Sequence, residues 1–418
     1  MTFDIISAIN FCIAAAFTLC YLYQFFYIPI PLLKRDRPHQ AEKLHRYAVL
    51  IAARNEEVVI AHLLESIRAQ DYPADLITTF VVADNCTDGT ARIAREHGAV
   101  VYERFDRQRI GKGYALQFLL EQIAVDHGSC FDGYFVFDAD NLLDPHYIAE
   151  MNRTFGDGYE IVTSYRNSKN YGDNWISAGY ALWFLREAES LNHARMLLGT
   201  SCAVSGTGFL FSRSVLAHHG GWKFFLLTED IEFTVASILD GYRVGYCAKA
   251  VFFDEQPVTF RQSWRQRLRW AKGYLQVFCA YGPRLLRGIF RKGGFSCFDM
   301  AMSVMPAIAL SMLGMLTNLA AALACVFAGQ GFEVIIRSLA EMFGNSYLLL
   351  LFLGSVTTLT QWKHIHTTAA KKILYAFTFP LFMMTYIPIS VAALFCRVEW
   401  KQIEHHRTVS VSELVKRS

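Results

Sequence analysis

Two acidic side chains that could bind a cation stand one residue apart. Asp138 and Asp140 follow the apolar, strand-like run YFVF at residues 134–137. Carboxylate oxygens are preferred ligands of Mg²⁺ and Mn²⁺, and a divalent ion held there could neutralise a diphosphate group. A strand followed by an acidic loop is common, however. The pair therefore gains weight only from the other motifs of the chain.

A second acidic pair provides a candidate proton acceptor. Glu229 and Asp230 lie in the segment FLLTEDIEFT. A fixed carboxylate can take a proton from a hydroxyl group that attacks an electrophilic carbon, so Asp230 is the candidate general base and Glu229 the alternative. Acidic residues also stabilise the first turn of a helix, which is the structural alternative for both.

Three residues of the segment QRLRW share one face of a predicted helix. Gln266, Arg269 and Trp270 are three and four positions apart, which places them side by side on a helix. The guanidinium group of Arg269 can bind a diphosphate in a fork, and the ring of Trp270 can support a sugar ring. We assign Gln266 and Trp270 to the acceptor. An amphipathic helix with its Trp among lipid headgroups is the alternative.

Further polar candidates lie where predicted strands and helices meet. Asp84 ends an apolar run, where a carboxylate can accept hydrogen bonds from a base or a ribose. Lys112 opens a helix, whose amino end favours an anion, although a solvated lysine is equally compatible. We assign six residues to the binding of a phosphorylated donor: Asn55, Glu56, Asp84, Lys112, Asp138 and Arg269.

A glycine-containing loop, SGTGF, precedes the candidate base. Glycine lets a backbone approach a ligand closely, so Gly206 and Thr207 are candidates for acceptor binding. A simple turn is the structural alternative.

Residues 46–256 predict one α/β domain that must position these side chains. Strands alternate with helices, which predicts a mostly parallel sheet with functional loops at the carboxyl ends of its strands. Asn55, Asp84 and Asp138 all fall at such ends. The predicted strands are 47–53, 76–84, 99–105 and 133–140, and the predicted helices are 58–70, 87–98 and 112–128.

Apolar segments on both sides of this domain predict a membrane protein. Apolar residues make up 53% of the 418 residues, and the mean hydropathy is +0.23. Residues 1–35 contain an almost uncharged stretch of membrane-spanning length, without the basic start of a cleaved signal peptide. Residues 299–396 predict spans at 300–328, 345–361 and 373–396, the last kinked by Pro380 and Pro388. A polar tail, 397–418, follows.

Residues 257–298 are basic and lie directly before the apolar region. No Asp or Glu occurs between Gln256 and Phe298, whereas nine Lys or Arg do. Such a run marks the cytoplasmic side of a membrane, and we expect residues 275–290 to lie along the interface. A nucleic-acid partner is disfavoured by the apolar segment that follows. The ten scattered cysteines, with no CxxC pair, fit a reducing compartment.

The topology of these spans stays open in the sequence. One span before the domain and three after it would place the carboxyl terminus outside, whereas the basic residues of the tail favour the inside. An extra crossing near 274–290 or a re-entrant segment would resolve the conflict.

Together these motifs resemble the membrane-bound family 2 glycosyltransferases of the processive type, which include cellulose, chitin, hyaluronan and poly-N-acetylglucosamine synthases. The resemblance covers nearly the whole chain and is carried by Asp84, the DAD pair, Glu229-Asp230 and QRLRW. It implies a GT-A-like fold in which Asp84 contacts uridine and the DAD pair holds Mg²⁺ or Mn²⁺ against the diphosphate. It also implies that Asp230 is the base and that Arg269 and Trp270 lie beside the diphosphate and the acceptor sugar.

The implied activity is inverting transfer from a UDP-sugar, UDP-glucose or UDP-N-acetylglucosamine, to a growing β-linked polysaccharide at the cell membrane, coupled to export. The catalytic domain would be cytoplasmic, and a homo-oligomer or an export partner could assist. Many relatives have two acidic residues where this chain has Ala83-Asp84, and the few spans make a wide pore within a single chain doubtful. The alternatives are transfer of one sugar to a lipid carrier, a transporter and an inactive scaffold.

Overall fold

The centre of the molecule is one mixed sheet of eight strands. The computed structural model describes residues 2–36, 39, 43–291, 293–327, 333–398 and 413. The α/β prediction is confirmed, and each of the four predicted strands is present. The strands are β1 (Tyr47–Ala53), β2 (Ile77–Asp84), β3 (Val100–Arg104), β4 (Gly133–Asp138), β5 (Leu142–Leu143), β6 (Ile161–Ser168), β7 (Phe209–Ser212) and β8 (Val244–Asp254).

The order of the strands explains where the site lies. The order is β3-β2-β1-β4-β7-β6-β8-β5, and the first four strands are parallel. Strand β7 is antiparallel to both of its neighbours. In the register of β1, Ala53 pairs with Ala83 and Ala52 pairs with Asp138. The carboxyl ends of β1, β2 and β4 therefore meet at one edge, where Asp84 and Asp138 lie two strands and two residues apart, roughly 12 Å between their backbones.

Helices cover both faces of the sheet. Along β1, Leu50 packs into one apolar layer with Leu119, and Ile51 packs into the other with Leu63. Burial on both faces explains the continuous apolar run of this strand. The helices of the domain are α3 (Ile60–Arg68), α4 (Thr90–Glu96), α5 (Lys112–His127), α6 (Tyr147–Gly156), α7 (Trp175–Arg186), α8 (Ala194–Leu198), α9 (Arg213–His218), α10 (Glu229–Leu239), α11 (Phe260–Gly288) and α12 (Gly294–Val304).

Apolar helices flank this domain in the chain. They are α1 (Thr2–Tyr27), α2 (Ile30–Leu33), α13 (Pro306–Phe327), α14 (Glu333–Thr360), α15 (Ala369–Met384) and α16 (Tyr386–Phe395). Within the described residues, three stretches are long and apolar enough to cross a membrane: Ala8–Leu33, Leu339–Thr360 and Ala369–Phe395.

The prediction of one continuous span over 300–328 is wrong at its start. Helix α12 ends at Val304 and α13 begins at Pro306, because a residue before proline disfavours the helical conformation. Helix α12 instead packs in the domain. Its Met300 is buried against Val235 of α10, and its Asp299 pairs with Arg195 at 2.7 Å.

The last predicted span, 373–396, is divided into two helices. Helix α15 contains Pro380, and the break lies at Thr385, three residues before Pro388. Proline has no N–H to donate to a carbonyl one turn earlier, so Pro388 weakens the helix at this point. The segment 275–290 is no separate helix but the second half of the continuous α11, which includes Pro283. Its place at a membrane surface stays a prediction.

The loop between α14 and α15 contacts the sheet domain. Tyr165 donates a hydrogen bond to Gln361 Oε1 at 2.5 Å, and Asn167 Nδ2 donates to the carbonyl oxygen of His364 at 2.9 Å. Lys371 reaches the carbonyl oxygen of Gly172 at 2.6 Å. The carboxyl end of α14 and the amino end of α15 therefore lie on the domain's side of any membrane that these helices cross.

Candidate active site

Lys112 joins two of the predicted motifs. Its ammonium group pairs with Asp138 Oδ1 and donates a hydrogen bond to the carbonyl oxygen of Gly206 at 2.8 Å. The side chain of Asp138 is 40% exposed and that of Lys112 is 14% exposed. Lys112 is the first residue of α5, so its charge adds to the positive end of the helix. The pair is thus open to an anionic ligand on one side.

The SGTGF loop connects this pair to the candidate base. The backbone N–H of Gly206 donates to Asp230 Oδ2 at 2.6 Å, and Thr207 Oγ1 accepts from the N–H of Asp138 at 2.8 Å. Gly208 has φ +66°, and a Cβ there would lie 2.2 Å from the ring of Phe252. The loop therefore requires glycine for its conformation and its close packing.

The acidic pair begins helix α10, with Glu229 buried and Asp230 half-buried. Burial and, second, the charge of Asp230 raise the pKa of Glu229 to about 7. Burial also raises the pKa of Asp230, while hydrogen bonds from backbone N–H groups and the charge of Lys112 favour its anion. Because the two carboxyl groups interact, they titrate as a pair. One proton of the pair is thus exchanged close to neutral pH.

The raised pKa values predict how turnover depends on pH. A general base must be ionised, so kcat should fall as the pH drops through the titration of Asp230, whose pKa burial raises above that of an exposed aspartate. Glu229→Gln removes the mutual repulsion and should move this acid limb to lower pH. A kcat–pH profile of both proteins measures the shift. An acid limb near pH 4 in the wild type would contradict the geometry.

The second carboxylate of the DAD pair lies deeper than the first. Asp140 is only 5% exposed, and its Oδ2 accepts from the backbone N–H of Glu255 at 2.9 Å. The ammonium group of Lys169 donates to the carbonyl oxygen of Asp140. The two acidic residues therefore differ: Asp138 is open to a ligand, and Asp140 is anchored at the end of β8.

Asp84 is buried beside an arginine that the motifs did not predict. Arg104 Nη1 lies 2.6 Å from Asp84 Oδ1, because β3 pairs with β2 so that these two residues are direct neighbours. Burial raises the pKa of Asp84, and Arg104 opposes that shift. The neighbouring Asn55 Oδ1 accepts from Thr87 N–H at 2.8 Å, and the N–H of Glu56 donates to Thr90 Oγ1 at 2.8 Å.

The QRLRW residues lie on α11, against the loop that leads to α10. Arg269 Nη1 donates to the carbonyl oxygen of Leu227 at 3.0 Å. The ring of Trp270 makes edge contacts with Tyr180 and Phe184, with centroid distances of 5.6 and 6.0 Å. In the described structure Gln266 Oε1 is buried without a hydrogen-bond partner. Trp270 thus forms an aromatic wall with two residues of α7.

A buried charged cluster contacts the SGTGF loop, and the sequence motifs did not predict it. Arg166 Nε donates to Asp254 Oδ2 at 2.7 Å, and its Nη1 donates to the carbonyl oxygen of Ser205 at 3.1 Å. Its guanidinium carbon lies 3.6 Å from the ring centroid of Phe184. Glu187 is part of the same cluster. These residues belong to no compact motif, so only the fold brings them together.

The acidic residues fit a divalent cation in part. In the part of the chain that is described, no group of three or more His, Cys, Asp or Glu side chains is placed to hold a metal ion. The oxygen ligands of Asp138 and Asp140 suit Mg²⁺ or Mn²⁺, and Asp138 is accessible. A cation there would complete its coordination with oxygens of a bound diphosphate.

The family of the chain follows from a direct match to a family model. Residues 45–273, more than half of the chain, match the model described as "Glycosyltransferase like family 2". The chain therefore belongs to the family 2 glycosyltransferases. A mannosyltransferase from Pyrobaculum calidifontis, solved with GDP-Man and Mn²⁺, has a similar fold with a TM-score of 0.62 and 19% identity. The match covers 93% of this chain and 99% of that one.

Curated relatives are similar over different lengths. The β-monoglucosyldiacylglycerol synthase of Nostoc sp. is 27% identical over 355 residues, which are 75% of this chain and 74% of that protein. The poly-β-1,6-N-acetyl-D-glucosamine synthase of Staphylococcus aureus is 26% identical over 239 residues, 56% of each chain. The chain spans only about half the length of other curated relatives that it matches.

Proposed function

We propose that the protein transfers a hexosyl group from a UDP-sugar to the end of a growing β-linked glycan at a membrane surface. The observation that carries this proposal is the contact series Asp138–Lys112–Gly206–Asp230. It places a charged pair suited to a diphosphate one loop residue away from a carboxylate suited to take a proton. The similarity to a poly-N-acetylglucosamine synthase supports UDP-glucose or UDP-N-acetylglucosamine as donor.

On the donor side, the proposed ligands come from the carboxyl edge of the sheet and from helices α5 and α11. Asp84, Asn55 and Glu56 surround the place of the nucleoside, and Lys112 and Arg269 supply positive charge for the diphosphate. Asp138 and Asp140 would hold Mg²⁺ or Mn²⁺, which neutralises the charge of the departing diphosphate when bound. The Mn²⁺ complex of the Pyrobaculum calidifontis mannosyltransferase supports a divalent ion.

The chemistry proposed for Asp230 is general-base catalysis. Its carboxylate takes the proton of the acceptor hydroxyl while that oxygen attacks the anomeric carbon, and the bond to the diphosphate breaks. Attack from the side opposite to the leaving group inverts the anomeric configuration, so an α-linked donor gives a β-linked product. The hydrogen bond from the Gly206 N–H fixes the position of Asp230 Oδ2.

On the acceptor side, the aromatic wall of Trp270, Tyr180 and Phe184 supports binding of a sugar ring. Phe382 of α15 also packs against Tyr180, with a centroid distance of 5.0 Å, so an apolar helix closes this part of the site. We infer a multi-pass membrane protein whose domain faces the cytoplasm. An export partner or a second copy of the chain remains a proposal.

A second acceptor is a lipid that receives a single sugar. The specific observation in its favour is the alignment to the β-monoglucosyldiacylglycerol synthase of Nostoc sp. That alignment is 355 residues long and covers 75% of this chain, so it extends well beyond residues 45–273. The apolar helices beside Trp270 would then guide a lipid. Product size separates the two acceptors, because a glycan chain grows in repeated steps and a glycolipid does not.

Removing the aromatic wall should shorten the product. We expect Trp270→Ala to lower the mean glycan length more than it weakens UDP binding, since stacking against a sugar ring keeps the chain end near the base between transfers. Trp264→Ala is the matched control: Trp264 lies on the same helix but packs against Ile389 and Ala393. Gel sizing of radiolabelled product tests this. A single-sugar product from the wild type would contradict chain growth.

A further inference from the structure

A small polar cavity is lined by residues of the SGTGF loop and of the buried cluster around Arg166. Its volume is about 10 Å³, close to the space that one water or one hydroxyl group needs. The polar side chains that line it are Thr163, Ser164, Arg166, Glu187, Asn192, Ser205 and Thr207. The cavity is therefore built for one small hydrogen-bonding group rather than for an apolar ligand.

Glu187 is the acidic residue of this cavity. It begins a π-helical segment, Glu187–His193, between α7 and α8, and such segments are rare and occur frequently at functional sites. Glu187 has one hydrogen bond within the described structure, from Ser205 Oγ to Oε2 at 3.2 Å. Burial raises its pKa, and the charges of Arg166 and Arg195 oppose that shift. One carboxylate oxygen is thus left for a further donor.

The cavity is connected to the proposed catalytic groups on two sides. Ser205, which bonds to Glu187, precedes Gly206, whose N–H binds Asp230. Phe184, which lines the cavity, also contacts the ring of Trp270. The charge of Asp230 also acts on Glu187, so an acceptor sugar placed between Trp270 and Asp230 would lie beside Glu187.

We propose that Glu187, supported by Ser205, accepts a hydrogen bond from a second hydroxyl group of the acceptor, next to the hydroxyl that is glycosylated. This inference rests on the proposed function and adds a residue that determines acceptor specificity. A buried carboxylate forms a strong hydrogen bond with a hydroxyl group and disfavours an acceptor that lacks it. Glu187 transfers no proton in the reaction, because Asp230 is the proposed general base.

The test compares two glutamates of the same π-helical segment. Glu187→Gln keeps an oxygen for Ser205 but replaces the oxygen that would meet the acceptor with an NH₂ group. Glu189→Gln is the matched control, because Glu189 bonds to His193 at 3.2 Å and not to the cavity. Both proteins are assayed in nanodiscs with UDP-glucose and UDP-N-acetylglucosamine. The acceptor probes are phenyl β-glucoside, cellobiose and diacylglycerol.

We expect Glu187→Gln to raise the KM for phenyl β-glucoside and cellobiose, which carry a second hydroxyl group, by roughly tenfold, the scale of one lost charge-assisted hydrogen bond. The KM for diacylglycerol, which has a single hydroxyl group, should not change. UDP affinity and the slow hydrolysis of the donor by water should stay within twofold, and Glu189→Gln should leave all values unchanged. Glu187→Asp, which keeps the charge, takes the place of Glu187→Gln if that protein unfolds.

The possible failures are distinct. No UDP release by the wild type with either donor would overturn the proposed function itself. UDP release by the wild type, with a KM for the two sugar acceptors that is equal in Glu187→Gln and Glu189→Gln, would overturn only this inference. Donor hydrolysis that falls together with transfer would also overturn it, because the carboxylate would then act on the donor.

Discussion

Asp230→Asn should lower kcat at least ~10²-fold while UDP still binds, which is the scale of a lost general base. The amide keeps the shape of the side chain and an oxygen for the Gly206 N–H, 2.6 Å away, but it cannot take the proton of the acceptor.

The control for this substitution is Asp240, the residue directly after the same helix. Asp240→Asn changes the same kind of side chain directly after the other end of α10, where the Asp240 side chain is 30% exposed and lies near His218 and His219. We expect it to leave kcat unchanged. Turnover near the wild-type value in Asp230→Asn would move the base elsewhere, with Glu229 as the next candidate.

Asp138→Asn should have the second large effect, on the binding of UDP. Asp138 is the accessible carboxylate of the DAD pair and the partner of Lys112. We expect metal-dependent UDP affinity to fall at least ~10-fold, because the amide replaces a charged oxygen ligand of the divalent ion with a neutral one. Asp140→Asn should weaken binding less, since Asp140 is anchored by the N–H of Glu255. Calorimetric titration of UDP with and without Mn²⁺ measures both.

Removal of the divalent ion by a chelator should also impair the enzyme. EDTA should abolish turnover of the wild type, and added Mg²⁺ or Mn²⁺ should restore it. Asp126→Asn, an exposed change on α5, is the control and should bind UDP as the wild type does. Full turnover in EDTA, or equal UDP affinity in Asp138→Asn and Asp126→Asn, would contradict the assignment of the DAD pair.

The sequence was sufficient for the part of the fold that positions the donor residues. Strand β1 is buried on both faces, so its apolar run is continuous and its end is easily recognised, and the same holds for β2 and β4. The shared edge of parallel strands then brings Asp84 and Asp138 together without further information. Membrane spans were less well predicted, because apolar residues such as Met300 look alike whether they are buried in lipid or in protein.

Other residues of the site depend on contacts that no local pattern encodes. Arg104 lies beside Asp84 only because of the register between β2 and β3. Glu187 reaches Ser205 because the helix after α7 takes a π-helical course, and helix propensities do not predict such a course. Lys112 was recognised as a possible anion ligand, but its contacts with Asp138 and Gly206 required the folded loop.

The most direct test of the account is a donor screen with the full chain in nanodiscs. The protein is incubated with UDP-glucose, UDP-N-acetylglucosamine, GDP-mannose and a CMP-sugar in the presence of Mn²⁺, and released nucleotide and product are measured. GDP-mannose is included because the mannosyltransferase with the similar fold was solved with it. We predict release of UDP from one UDP-sugar, with a product that β-specific glycosidases digest. Release only from GDP-mannose or the CMP-sugar, or a product digested only by α-glycosidases, would contradict the account.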